Sequence, residues 1–143
     1  MNSDEFEVLL VEDNWDDVAL TLRALRKHEF VPKIHVVSDG AAALEYIFDS
    51  VSSAPPCVPR VIFLDLKLPK IDGLEVLRQL KADERTRTIP VVVLTSSQED
   101  QDVAECYKLG VNSYIVKPVE FDSFMSSVAQ LGLYWILLNT PPV

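Results

Sequence analysis

The residues of this sequence with the most chemistry to offer are those that close its short apolar runs. The run Phe6 to Val11 ends at Glu12-Asp13, Val61 to Leu64 at Asp65, Pro90 to Leu94 at Thr95-Ser96, and Ser113 to Val116 at Lys117-Pro118. If these runs are neighbouring strands pointing the same way, acids, a hydroxyl and an ammonium converge on one edge of a sheet. Three carboxylates gathered there would repel one another and raise their own pKa values unless a cation lay among them. A donor set made only of oxygen favours a hard ion such as Mg²⁺, which keeps several waters and takes one or two carboxylates together with a phosphate. Adding the Lys117 ammonium and the Thr95 hydroxyl makes the set suitable for a phosphoryl group, whose oxygens need positive charge and hydrogen-bond donors. Asp65, at the tip of the central run, is the candidate nucleophile.

The elements that would position these groups can be read from periodicity. The four runs above, with Ile34 to Val37 as a fifth, are rich in Val, Ile and Leu and too short for helices. Amphipathic segments lie between them. Trp15, Val18, Ala19, Leu22 and Leu25 recur at helical spacing, and Trp15 is expected to be an apolar residue at a helix start. Asp72-x-x-Glu75 and Ser97-x-x-Asp100 place an N-cap residue three positions before a carboxylate, and Asp39 precedes a helical segment from Gly40 to Phe48. Asp16 and Asp17 are expected to be first-turn acids that suit the helix dipole. Strands that are apolar throughout are buried on both faces, so alternation of strand and helix predicts a parallel sheet with helices on each side. The fold class is thus a doubly wound α/β domain with a five-stranded parallel sheet. In such sheets ligands bind outside the carboxyl ends of the strands, where the run-closing groups fall. Asp49 to Arg60, with Pro55, Pro56 and Pro59, reads as a long connection within a single domain.

Composition narrows the function classes. The chain has 143 residues, enough for one domain with a substantial core, and 48% of them are hydrophobic. Thirteen basic and twenty-two acidic residues leave a formal charge of −9. Such a surface repels phosphate backbones and anionic membranes, so neither nucleic acid nor membrane is an expected partner. Cys57 and Cys106 match no metal-ligand spacing and read as reduced thiols. The acidic N-terminus lacks the basic start of a secretory signal, and a cytoplasmic location is expected.

Four segments together resemble the signature blocks of two-component response-regulator receiver domains. They are Val8 to Asn14, Leu64 to Gly73, Val93 to Ser96 and Tyr114 to Pro118, and the resemblance spans about residues 6 to 130. It implies a flavodoxin-like, CheY-like strand order. It also implies that Asp65 accepts phosphate from a sensor histidine kinase. Glu12, Asp13, Asp65 and the backbone carbonyl of Lys67 would hold Mg²⁺, for which Mn²⁺ or Ca²⁺ can substitute. Thr95 and Lys117 would bind phosphoryl oxygens, and Tyr114 would be an aromatic switch that swings inward when Thr95 moves. The Lys117-Pro118 bond is a cis-peptide candidate.

Beyond the core, Leu131 to Leu138 is apolar on every side, more than one helix face can bury against its own domain. A homodimer through a C-terminal helix is expected, with Leu131, Tyr134, Trp135 and Leu138 at the interface. After Leu138 the sequence has five residues, and no DNA-binding module is expected. The pattern Glu12-Asp13-Asn14-x-x-Asp17, the proline-containing connection and the Tyr134-Trp135 terminus are similar to those of small receivers that partner cyanobacterial phytochrome kinases. Two other readings compete. One is a small phosphatase with an aspartyl nucleophile, although Lys67 stands where a haloacid-dehalogenase-type enzyme wants a second Asp. The other is a receiver fold serving only as a constitutive interaction surface.

Overall fold

A computed structural model describes residues 8–26, 33–54, 56, 58–96 and 99–117. Five strands, β1 (Val8–Val11), β2 (Ile34–Val37), β3 (Val61–Leu64), β4 (Val91–Thr95) and β5 (Ser113–Val116), form one sheet in the order β2-β1-β3-β4-β5. Every neighbouring pair is parallel. Strands β1, β3 and β4 are buried along their whole length, which is why they read as unbroken apolar runs, whereas the edge strand β2 is only half-buried.

Alternate residues of the sheet enter two cores. Leu9, Val11, Ile62, Leu64, Val91 and Val93 face α2 (Gly40–Ser52), α3 (Gly73–Ala82) and α4 (Asp100–Lys108). Val8, Leu10, Val61, Phe63, Val92 and Leu94 face α1 (Trp15–Arg26). Helices therefore cover both faces, as the strand–helix alternation requires.

Local chemistry fixes most helix starts. Asp39 and Asp72 cap α2 and α3, accepting hydrogen bonds from the amides of Ala42 at 2.7 Å and Glu75 at 3.0 Å. Helix α4 departs from expectation: it opens at Asp100, with Glu99 at the cap position and no side-chain cap bond, two residues later than a Ser97 cap demands. Helix α2 also runs four residues past Phe48. Val51 extends the buried row of Ala43, Leu44 and Ile47, and the Ser50 hydroxyl donates to the Tyr46 carbonyl at 2.8 Å, so the long connection starts later. In α1 the apolar stripe is displaced. Val18, Thr21 and Leu22 turn inward, while Ala19 is exposed and Trp15 is 77% exposed. Thr21 is buried although polar, which a count of apolar residues does not register.

The connection from β3 to α3 is held in one shape. Lys70 adopts φ +68°, a left-handed conformation that costs a non-glycine residue about 1–2 kcal/mol. The Gly73 amide donates to the Leu66 carbonyl at 2.9 Å, and a Cβ at Gly73 would lie 2.2 Å from the Asp65 carbonyl oxygen. Only glycine permits that approach.

Candidate functional site

Strands β1 and β3 are neighbours although their connections leave in opposite directions, which opens a crevice at their carboxyl ends. Val11 pairs with Leu64, so the next residues, Glu12 and Asp65, emerge side by side. Backbone bonds pin both: the Glu12 amide donates to Val37 and the Asp65 amide to Val11, each at 3.0 Å. Carboxylate oxygens of Glu12, Asp13 and Asp65 all lie within 4.8 Å of one another. Glu12 and Asp65 are buried, and Asp13 is exposed on the rim. Beyond Asp13 a groove of about 370 Å³ runs past Leu66, Lys67, Pro69 and Asp102.

Lys117 reaches this cluster from the end of β5. Its ammonium donates to Glu12, to Asp17 at 2.8 Å and to Asp65 at 3.1 Å. Its own amide donates to the Thr95 carbonyl at 2.9 Å, tying the ends of β4 and β5 together. Burial alone would pull the Lys117 pKa down, but Asp17, Glu12 and Asp65 outweigh it and hold the ammonium well above the usual lysine range. Glu12 shows the opposite balance. Burial and then the neighbouring Asp65 push it up to about 7, despite the bonds it accepts from Lys117 and from the Asn14 amide. Three carboxylates thus share one ammonium, with Asp13 on the rim beside Glu12 and Asp65, and the excess negative charge is what a divalent cation would neutralise. The donor set, carboxylate oxygens of Glu12, Asp13 and Asp65, suits a hard ion. The residues present therefore fit a divalent metal.

The remaining expected members take the following places. Thr95 is fully buried at the end of β4. Lys67 is exposed, and its amide donates to the Asp65 carboxylate at 3.2 Å. Tyr114 is half-buried in β5, opposite Val93, and packs on the core that faces α2, α3 and α4. Pro118, and with it the Lys117-Pro118 peptide bond, lies outside the described residues, as do Leu131, Tyr134, Trp135 and Leu138.

One residue expected elsewhere belongs here. Asp17 does more than suit the helix dipole, because it is one of three carboxylates bonded to Lys117. Asn14 Oδ1 accepts from the amides of Asp16 and Asp17 at 2.9 and 3.1 Å, which starts α1 directly after the acidic pair and points its first turn at the site. The signal in the sequence was Asn14, a cap residue directly after the acidic pair that sets Asp17 in the first turn of the helix it starts.

Comparison with known proteins agrees with this arrangement. The family described as the response regulator receiver domain matches residues 8–129. The probable methanogenesis regulatory protein FilR2 of Methanothrix harundinacea is 43% identical over 97% of this chain and 89% of its own length. Response regulator Rcp1 of Synechocystis is 34% identical over 94% of this chain and 92% of its own. The Mn²⁺-bound form of Rcp1 superposes with a TM-score of 0.76, at 34% identity, over 95% of this chain and 98% of that one. The bacteriophytochrome response regulator RtBRR superposes with a TM-score of 0.80, at 49% identity, over 96% of this chain and 84% of that one. With sheet order, acidic edge and sequence all in agreement, this chain belongs to the response regulator receiver domain family.

Proposed function

We propose that this protein is a response regulator switched by phosphorylation of Asp65, with a sensor histidine kinase as donor. The observation that carries the reading is the Lys117 ammonium bonded to Asp65 at the end of the central strand, with Glu12 and Asp13 alongside. In the transfer, an Asp65 carboxylate oxygen bonds to phosphorus as the bond from phosphorus to the kinase imidazole nitrogen breaks. With the other ring nitrogen of the phosphohistidine protonated, the products are an aspartyl phosphate and a neutral histidine. Glu12, Asp13, Asp65 and the Lys67 carbonyl would hold Mg²⁺, with Mn²⁺ or Ca²⁺ as substitutes. When bound, the metal supplies positive charge to the transferring phosphoryl oxygens.

Lys117 stays within reach of Asp65 and pairs with one phosphoryl oxygen, and the Thr95 hydroxyl binds another. Movement of Thr95 toward the phosphoryl group frees space that Tyr114 enters, which carries the signal to the β5 side of the domain. Identity of 49% with the bacteriophytochrome response regulator RtBRR supports a phytochrome-type kinase as the donor. The apolar run from Leu131 to Leu138 supports a homodimer as the assembled form.

The test is covalent labelling. With acetyl phosphate or a phosphorylated kinase, wild-type protein should acquire a Mg²⁺-dependent, acid-labile phosphate, and Asp65→Asn should acquire none. Full labelling of Asp65→Asn would overturn the assignment.

A further inference from the structure

We infer that Gly40, at the start of α2, is a positioning residue for the metal-binding edge, acting by seating the β3–α3 connection that carries Lys67. The inference rests on the metal-site reading above and adds a residue that lies outside the acidic cluster. The Gly40 amide donates to the Pro69 carbonyl at 3.3 Å, and the Ile71 amide donates to the same carbonyl at 2.9 Å. A Cβ built on Gly40 would lie 1.8 Å from the Ile71 carbonyl oxygen and 2.7 Å from its carbonyl carbon. Both atoms are backbone, so no side-chain rotation could relieve the overlap.

The two parts in contact cannot yield equally. Helix α2 is anchored in the core by Ala43, Leu44 and Ile47, all buried. The opposing segment already contains the left-handed Lys70, whose ammonium lies 3.7 Å from the Asp39 carboxylate. Any atom added at Gly40 therefore displaces Pro69 to Ile71 first. The far end of the same connection is fixed by Gly73 against Leu66 and by the Lys67 amide against the Asp65 carboxylate. A shift at Pro69 is thus taken up between the Lys67 amide and the Gly73 amide, and the Lys67 carbonyl belongs to the first peptide inside that stretch.

Ion selectivity separates this role from a general loss of order. Mg²⁺ demands near-octahedral geometry, whereas Ca²⁺ accepts variable ligand number and position. A displaced carbonyl should therefore penalise Mg²⁺ more than Ca²⁺.

Calorimetric titration of the full chain with MgCl2 and with CaCl2 tests this. Gly40→Ala should weaken Mg²⁺ binding about tenfold and Ca²⁺ binding by no more than about threefold. Gly110→Ala, at a glycine with φ +93° far along the chain from the connection, should leave the ratio of the two affinities unchanged. If Gly40→Ala does not fold, Asp39→Ala decides. It removes the cap and the charge facing Lys70 without adding an atom, and should shift selectivity in the same direction. Equal losses for both ions, no loss for either, or the same selectivity shift in Gly110→Ala would overturn the inference. Wild-type protein that binds neither ion would overturn the metal-site reading itself, and the role of Gly40 with it.

Discussion

Lys117 and Asp17 stand 100 positions apart in the chain, yet the ammonium of one donates to the carboxylate of the other at 2.8 Å. The pair joins the end of β5 to the first turn of α1 across the carboxyl edge of the sheet. Lys117 is 11% exposed and Asp17 28%, so the bond is shielded from water and salt far better than an ordinary surface pair.

Asp17→Asn removes the charge from this pair while keeping the size of the side chain. Lys117 retains Glu12 and Asp65 as partners, so the fold survives. A hydrogen bond to a charged group contributes about 1.5–3 kcal/mol, and an amide oxygen replaces part of that, so stability should fall by about 1 kcal/mol. Urea unfolding of the metal-free protein measures the change. Stability equal to or above wild type would show that the Asp17 carboxylate adds only repulsion to the cluster.

Removing the ammonium is a harsher change. Lys117→Ala leaves Glu12, Asp17 and Asp65 facing one another with no cation between them. Loss of one partner from a fully buried pair costs about 3–5 kcal/mol, and the residual exposure here reduces that to about 2 kcal/mol. Added Mg²⁺ should restore more stability to Lys117→Ala than it adds to wild type, because it meets carboxylates that no lysine is neutralising. Urea midpoints with EDTA and with saturating Mg²⁺ give both increments. Equal increments in the two proteins would contradict this view of the site.

The alternation of strands and helices was legible because β1, β3 and β4 are buried on both faces and admit almost nothing but Val, Ile, Leu and Phe. Glu12 and Asp65 were legible because each follows such a run directly, and Lys117 because it closes the short run of β5. Asp17 stands in the first turn of α1 as expected, but its bond to Lys117 was not legible because it depends on how α1 rotates over the sheet. That rotation is set by Val18, Thr21 and Leu22, one of which is polar. Trp15 misled for the same reason: hydrophobic spacing assigned it to the buried stripe, but it projects from the helix start, 77% exposed. Gly40 could not be recognised from sequence, since its significance lies in a contact with Ile71 across two elements.

The edge of the sheet away from the acidic cluster supplies a pH dependence. His35 on β2 stacks on Tyr46 of α2, with ring centroids 4.2 Å apart and planes inclined by 18°. Burial lowers its pKa from the usual 6.5, so the folded protein favours the neutral imidazole. The unfolded chain binds the proton more readily. This contribution to stability is therefore fully present above about pH 6.5 and is lost as pH falls through the depressed folded value. His35→Phe keeps an aromatic ring against Tyr46 but cannot titrate. Its urea midpoint should decline less than that of wild type between pH 7.5 and pH 5.5. Parallel declines would show that His35 is not responsible.

Self-association can be tested from the sequence of the C-terminal run. Leu131 to Leu138 is apolar on every side, and Tyr134 and Trp135 are the residue types that anchor interfaces. A charge of −9 on each copy opposes assembly, but salt screens that repulsion beyond about 8 Å at physiological strength, while apolar burial is unaffected. Loss of a central aromatic can cost about 2 kcal/mol at a hot spot, and a twofold axis applies the loss on both sides. Trp135→Ala combined with Leu138→Asp should therefore shift the protein to monomer in sedimentation equilibrium, with circular dichroism close to wild type. A wild-type protein that is already monomeric at tens of micromolar, on the order of ordinary micromolar affinities, would mean that this run packs on its own domain.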